Sequence, residues 1–212
     1  IEKRNLKMTL TEIKTQIDNF GKRKQQQIEE YSNKQKELAE KVKNNEMYQT
    51  EANLRLEDIA KDAKNYSDTE YNSIISKLEA IEQTELEAIK AGYETVTADN
   101  LAELTLLGQT EVTEKELLSY LEKYKRNPLA IKKLHEIAFN NGISLPEYVL
   151  KEDRLSNLLQ LFKQYAKSYH DTSINDAYGA ASDLSFTLVL STDEMTKALE
   201  EYSKHFDTAL GL

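Results

Sequence analysis

The side chains able to do chemistry in this chain are few and far apart. Its three histidines, His135, His170 and His205, stand 35 residues from one another. None belongs to a His-x-x-x-His or Glu-x-x-His set. Zinc sites group imidazole or thiolate ligands within a few residues, and dimetal sites in helical bundles use Glu-x-x-His pairs. There is no cysteine, so a thiolate site, a disulfide framework and a cysteine nucleophile are all ruled out. Each histidine is therefore read as a surface or half-buried side chain. Glu79, Glu82, Glu85 and Glu87 resemble an acid cluster, but on a helix they spread around the cylinder as a solvated face. No glycine-rich phosphate loop and no Gly-x-Ser-x-Gly elbow occurs. The expectation is a non-enzymatic protein with no catalytic residues, cofactor, metal or small-molecule substrate.

One motif is more pointed. Leu134-His135-Glu136-Ile137-Ala138-Phe139-Asn140-Asn141-Gly142-Ile143-Ser144 resembles the helix and turn of helix-turn-helix repressors. The would-be recognition helix begins Leu145-Pro146-Glu147-Tyr148 and continues Lys151-Glu152-Asp153. Those acids stand where phosphate and base contacts need Lys and Arg. A plain helical corner is the favoured reading, with a DNA-binding regulator kept as an alternative.

The elements that must position these residues are helical. Charged residues make up 31% of the chain and apolar residues only 39%, with two prolines. Such a balance belongs to disorder or to long helices with narrow apolar stripes, and the stripes are present. Leu6, Leu10, Ile13, Ile17 and Phe20 alternate steps of four and three, the seam of a coiled coil. The rhythm then slips and resumes at Ile28, running through Tyr31, Gln35, Leu38, Val42, Asn45, Gln49, Ala52, Leu56, Ile59, Ala63 and Tyr66. A second slip leads to Tyr71, Ile74, Leu78 and Ile81. Each slip equals an eleven-residue step (17 to 28, 63 to 74), which locally unwinds a left-handed supercoil.

A continuous helix of about 85 residues would be about 130 Å long and could not bury its seam alone. It needs a partner chain or must fold back, with Gly21 or Asn44-Asn45 as the expected break. Leu10, Ile13, Ile17, Ile28, Tyr31, Leu38, Val42, Leu56, Ile59, Tyr66, Ile74, Leu78 and Ile81 are assigned to a self-association seam. Gln35, Asn45 and Gln49 are polar insertions that weaken the stripe or fix its register. Lys22-Arg23-Lys24-Gln25-Gln26-Gln27 is read as a solvated face.

Beyond Gly92 the chain reads as shorter helices with clear boundaries. Asp99 caps a helix through Leu107, ended by Gly108. Thr113 and Glu116 form a capping box for a helix to about Arg126. Asn127 precedes Pro128 at the first position of the next, and Gly142 follows its end. Ser144 and Glu147 form another capping box. Leu155, Leu158, Leu159, Phe162, Tyr165, Ala166 and Tyr169 describe a helical face, and residues 170–181 look like a loop. Ser185–Leu190 is open between helix and a short extended segment, and Ser191 with Glu194 caps a last helix to about Leu210. Leu155, Leu159, Phe162, Phe186, Leu188 and Leu190 are the candidate partner-docking residues. The domains expected are a long coiled-coil-type helix or helical hairpin over 1–92, an acidic connector with a short helix over 93–112, and a C-terminal helical domain over 113–212: an all-α fold.

Charge bears on partners. Residues 67–112 carry 2 basic and 10 acidic side chains, within a net charge of −9. An acidic middle repels nucleic-acid phosphates and anionic lipid, so nucleic acid is not expected as a main partner. The apolar runs are far shorter than the roughly 18 residues that span a bilayer, so no membrane is expected either. Ile1–Lys7 lacks the apolar core of a secretory signal. Met8-Thr9-Leu10-Thr11-Glu12-Ile13 reads like a natural beginning, with residues 1–7 outside the native chain.

The stretch Glu116-Leu117-Leu118-Ser119-Tyr120-Leu121-Glu122-Lys123-Tyr124-Lys125-Arg126-Asn127-Pro128-Leu129-Ala130-Ile131 resembles segments of structural proteins of tailed phages and prophages of low-GC Gram-positive bacteria. The acidic, cysteine-free chain with a coiled coil ahead of a small helical domain is similar to capsid scaffolding proteins of that class. The resemblance implies a homo-oligomeric assembly protein with protein partners, present in the bacterial cytoplasm during assembly or in the virion. Scaffolds often end in a basic coat-binding helix. Here Asp193–Leu212 holds five acids and two lysines, a departure from that pattern. A bacterial coiled-coil adaptor unrelated to phage is a further alternative.

Overall fold

The computed structural model describes residues 9–146, 149–175 and 180–204. Leu6 and Met8, Glu147 of the second capping box, His205 and the helix end near Leu210 lie outside the described residues. Seven helices are present among them: α1 (Leu10–Lys43), α2 (Gln49–Ala91), α3 (Ala98–Leu107), α4 (Glu114–Lys123), α5 (Pro128–Asn140), α6 (Lys151–Asp171) and α7 (Ala180–Lys204). No strand occurs among the described residues, and the fold is all-α.

The long apolar stripe folds back on itself. α1 starts at a capping box in which the Glu12 N–H donates to Thr9 Oγ1 at 3.2 Å and the Thr9 N–H donates to Glu12 Oε2 at 2.6 Å. It ends at Asn44, whose N–H still reaches the Glu40 carbonyl, and Asn45 then turns the chain with φ +59°. Asparagine is among the few residues that visit this left-handed region readily. Of the two expected breaks, Asn44-Asn45 is the one used, and Gly21 lies inside α1. Gln16 bonds Glu70 and Lys77, and Lys24 bonds Ser67. Lower numbers on α1 thus meet higher numbers on α2, and the two helices are antiparallel.

Two compact units divide the chain, and neither is contiguous in sequence. The first takes in Ile1–Ile81 and Leu159–Leu199, the second Glu82–Leu158 and Glu200–Leu212. The expected sequential boundaries near 92 and 112 give way because the α1–α2 hairpin recruits α6 and α7. In the first unit the Tyr169 ring meets Phe20 edge-on at 6.2 Å, and its hydroxyl bonds Ser191. Thr192 donates to Asp18 at 3.1 Å. Gly21 admits this approach: a Cβ there would lie 2.5 Å from Leu188 Cδ2 and 2.8 Å from the Tyr169 ring.

α7 settles the segment left open between helix and strand. Ser185–Leu190 is helical, because Leu184, Leu188, Ser191 and Met195 turn inward at steps of four, three and four. The alternation of Phe186, Leu188 and Leu190 does not describe two faces of a sheet. Ser191 and Glu194 lie within α7 and start no helix. His170 and Asp171 belong to the last turn of α6, ahead of the non-helical residues 172–175.

The second unit has its own core, built from Leu104, Leu117, Leu121, Tyr124, Ile131, Leu134 and Ile137 with smaller neighbours. Its local signals match the sequence closely. The Thr113–Glu116 capping box starts α4 and Asn127 caps α5 with Pro128 in its first turn. α4 ends at Lys123, short of Arg126. The cap of α3 is Thr97, which accepts from the Asn100 N–H, and not Asp99. Gly142 takes φ +67° just past α5.

Candidate functional site

The assigned seam is spent largely inside the chain. Ile13, Ile17, Ile28, Tyr31, Leu38, Ile74, Leu78 and Ile81 are buried, Leu10, Val42, Leu56 and Ile59 are half-buried, and Tyr66 is exposed. Gln35, Asn45 and Gln49, read as polar insertions, are all exposed. Besides Asp18, the buried polar residues of α1 and α2 are Lys24, Gln27 and Ser67. Their positions correct both slips. On α1 the inward positions run 17, 20, 24, 27, 31, and on α2 they run 63, 67, 70, 74, each alternating three and four without interruption. The seam does not slip; it passes through residues that look like surface in the sequence.

The two apparent slips are the two halves of one contact. Lys24 is 3% exposed, and its Nζ donates to Ser67 Oγ at 2.9 Å. Ser67 donates in turn to the Ala63 carbonyl at 2.9 Å. Burial pushes the Lys24 ammonium below the usual lysine range, the nearby Asp68 charge opposes that, and Lys64 adds to it. Withdrawing an ammonium from water costs several kcal/mol, about as much as the lost hydration is worth after relaxation, and a neutral hydroxyl returns little of it.

The contact forms the floor of a cleft of about 550 Å³ between α1, α2 and the end of α6. On its wall His170 Nε2 lies 2.9 Å from Asp68 Oδ1 and Nδ1 lies 2.9 Å from Asp171 Oδ1. Lys64 holds the other oxygen of Asp68, and Lys167 the other oxygen of Asp171. The Tyr71 ring covers the imidazole at 4.6 Å. Lys64 first and His170 second hold the Asp68 carboxyl below the ordinary carboxylate range, and Lys167 with His170 do the same for Asp171. The imidazole thus stands between two carboxylates, each of which is also paired with a lysine. Among the described residues no group of three or more His, Asp or Glu is arranged to hold a metal ion.

A buried lysine beside a serine also resembles half of a Ser–Lys nucleophile. Here the serine sits inside α2 with its proton committed to Ala63, and the surrounding backbone N–H groups are committed to the helix. An oxyanion needs donors free to face it, and this helix interior offers none.

The candidate docking residues separate sharply. Leu155, Leu159 and Phe162 are fully buried and present no surface, a correction that follows from the inward face of α6. Leu188 is half-buried against Gly21. Phe186 and Leu190 are 66% and 40% exposed, joined by Val189 at 64%. These three share one face of α7 at steps of three and one. Val189 has no place in a strand-like alternation and becomes visible only once the segment is helical.

Nor does the Gly142 corner build a recognition helix. α5 ends at Asn140, residues 143–146 and 149–150 are non-helical, and α6 begins at Lys151. A helix-turn-helix joins its helices through three or four residues. His135 on α5 is half-buried, and burial lowers its pKa. No helix among the described residues is long and apolar enough to cross a membrane. No protein-family model, no curated protein and no solved structure matches the chain.

Proposed function

We propose that the chain is a non-enzymatic structural or assembly protein, of the class its sequence resembles in tailed phages and prophages of Gram-positive bacteria. It acts by docking to another structural protein and by association of its own copies. The observation that carries this reading is the exposed row Phe186, Val189 and Leu190 on α7. With the long seam closed within the chain, binding falls to surface that remains free, and this is a contiguous apolar part of it. Exposed apolar rows of this kind mark protein contacts more often than isolated surface residues do.

Mass spectrometry of sedimented phage-like particles from the native host tests the setting. The chain should co-sediment with other virion or capsid proteins; its absence from particles, with abundance in the soluble fraction, would favour an adaptor unrelated to phage. Light scattering across concentration tests the self-association. The wild type should gain mass with concentration and Phe186→Asp should not; a monomer at every concentration contradicts it.

A further inference from the structure

The cleft above Lys24 goes beyond the docking reading and stands whether or not α7 binds a protein. Its lining holds Lys24, Lys61 and Lys64 against Glu57, Asp68 and Asp171. Asp68 pairs with Lys64, and Asp171 with Lys167, which does not line the cleft; the His170 ring nitrogens lie 2.9 Å from both carboxylates. Glu57 and Lys61 lie one helical turn apart. Lys24 has the Asp68 charge nearby but no ion pair among the described residues. Its ammonium has three donors, one is given to a neutral hydroxyl, and among the described residues no carboxylate lies within ion-pair distance of it.

A seam position in a helical hairpin gains nothing from a buried ammonium, since an apolar residue of similar volume packs there without the desolvation cost. The charge is useful if something arrives to neutralise it. One buried ammonium stands at the floor of a lining whose three lysines and three carboxylates balance, which suits a single carboxylate group and disfavours a phosphate dianion. A cleft of this volume has the size of ordinary small-ligand sites. Thr172, Ser173 and Asn175 supply hydroxyl and amide groups along one wall, beside the apolar Ala60 and Ile174. We propose that this cleft is a carboxylate-binding site, with Lys24 neutralising a single carboxylate group of the ligand and Ser67 holding the ammonium in place.

A carboxylate can come from a small free acid or from the C-terminus of a peptide, and one experiment separates the two. The full ¹⁵N-labelled chain is titrated with butyrate, with the tripeptide Ala-Ala-Ala, and with the same tripeptide amidated, while the amide signals of Ser67 and of residues 172–175 are followed. Saturable shifts with butyrate or the free tripeptide are expected, and at least tenfold weaker binding by Lys24→Met. Tighter binding of the tripeptide identifies a peptide terminus as the source; tighter binding of butyrate identifies a free acid. Ser67→Asp keeps Lys24 and supplies a carboxylate from within, so it should also lose at least tenfold, and it answers the question even if Lys24→Met fails to fold. Equal saturable binding of the acid and amide tripeptides, wild-type affinity in either variant, or no saturable shift at the cleft with either acid overturns the proposal.

Discussion

Gly21→Ala sets two well-known effects against each other at one position. In an open helix the change stabilises by about 1 kcal/mol, because glycine is the poorer helix former. Gly21 is not in the open. The new Cβ would sit 2.5 Å from Leu188 Cδ2 and 2.8 Å from two atoms of the Tyr169 ring, closer than real contacts come. Leu188 is half-buried and its methyl can swing aside. Tyr169 is fully buried, packed on Phe20 and held by its hydroxyl to Ser191, so its ring cannot retreat without disturbing α7. Inserting a methyl into such a site costs roughly 1–3 kcal/mol. The clash offsets or outweighs propensity, and a net loss of up to about 2 kcal/mol is expected. Urea unfolding followed by circular dichroism should show the midpoint lowered with an unchanged slope. Leu188→Ala in the same chain should restore part of the loss, a coupling above about 0.5 kcal/mol. A Gly21→Ala protein about 1 kcal/mol more stable than the wild type would refute the packing of α1 against α6 and α7.

Three further outcomes follow from named contacts. Phe162→Ala should cost about 3–5 kcal/mol, as core phenylalanines do, whereas Phe186→Ala should stay within about 0.5 kcal/mol; paired urea melts compare them. Gly142→Ala should lose about 1–2 kcal/mol although nothing stands within 4 Å of a Cβ there, because φ +67° is strained for alanine. Gly142→Asn should lose less, and urea melts of the two variants compare them. Asp68 titrates below the ordinary carboxylate range because Lys64 and His170 favour its charged form. Its contribution is therefore complete above about pH 4 and drains away as pH falls through the depressed native value. Urea midpoints measured from pH 6 downward should fall less steeply in Asp68→Asn than in the wild type.

What could be read from the sequence depended on whether the signal was local. Capping boxes and the Asn127-Pro128 start involve residues within one turn, so Thr113, Glu116 and Asn127 were visible without tertiary knowledge. Thr9 and Glu12 carry the same signature at the start of α1, and their spacing alone could have revealed it. The apolar stripe announced one long helix or a hairpin, with Asn44-Asn45 as one of two candidate breaks. The candidate site was not legible in the same way. Lys24 sits in a basic, glutamine-rich run that looks solvated, and nothing near it in sequence shows that Ser67, 43 residues on, meets it. One clue was present: Leu10, Ile17, Lys24, Tyr31 and Leu38 recur every seven residues, which places Lys24 on the inward face. Following apolar residues alone turned that polar seam position into a slip. On α7 the strand-like alternation hid the inward set Leu184, Leu188, Ser191 and Met195, because its third member is a serine.

The apolar seam is closed by α1 and α2 of the same chain. The absence of native cysteine makes a direct test clean. Gln16 and Glu70 share a hydrogen bond at 2.5 Å, so the double variant Gln16→Cys, Glu70→Cys can be treated with a short bis-maleimide and resolved on a denaturing gel. Cross-linking within one chain, giving a monomer-sized product whose yield does not change with protein concentration, is the predicted result. A dimer-sized product that grows with concentration, at the expense of the monomer, would contradict the account.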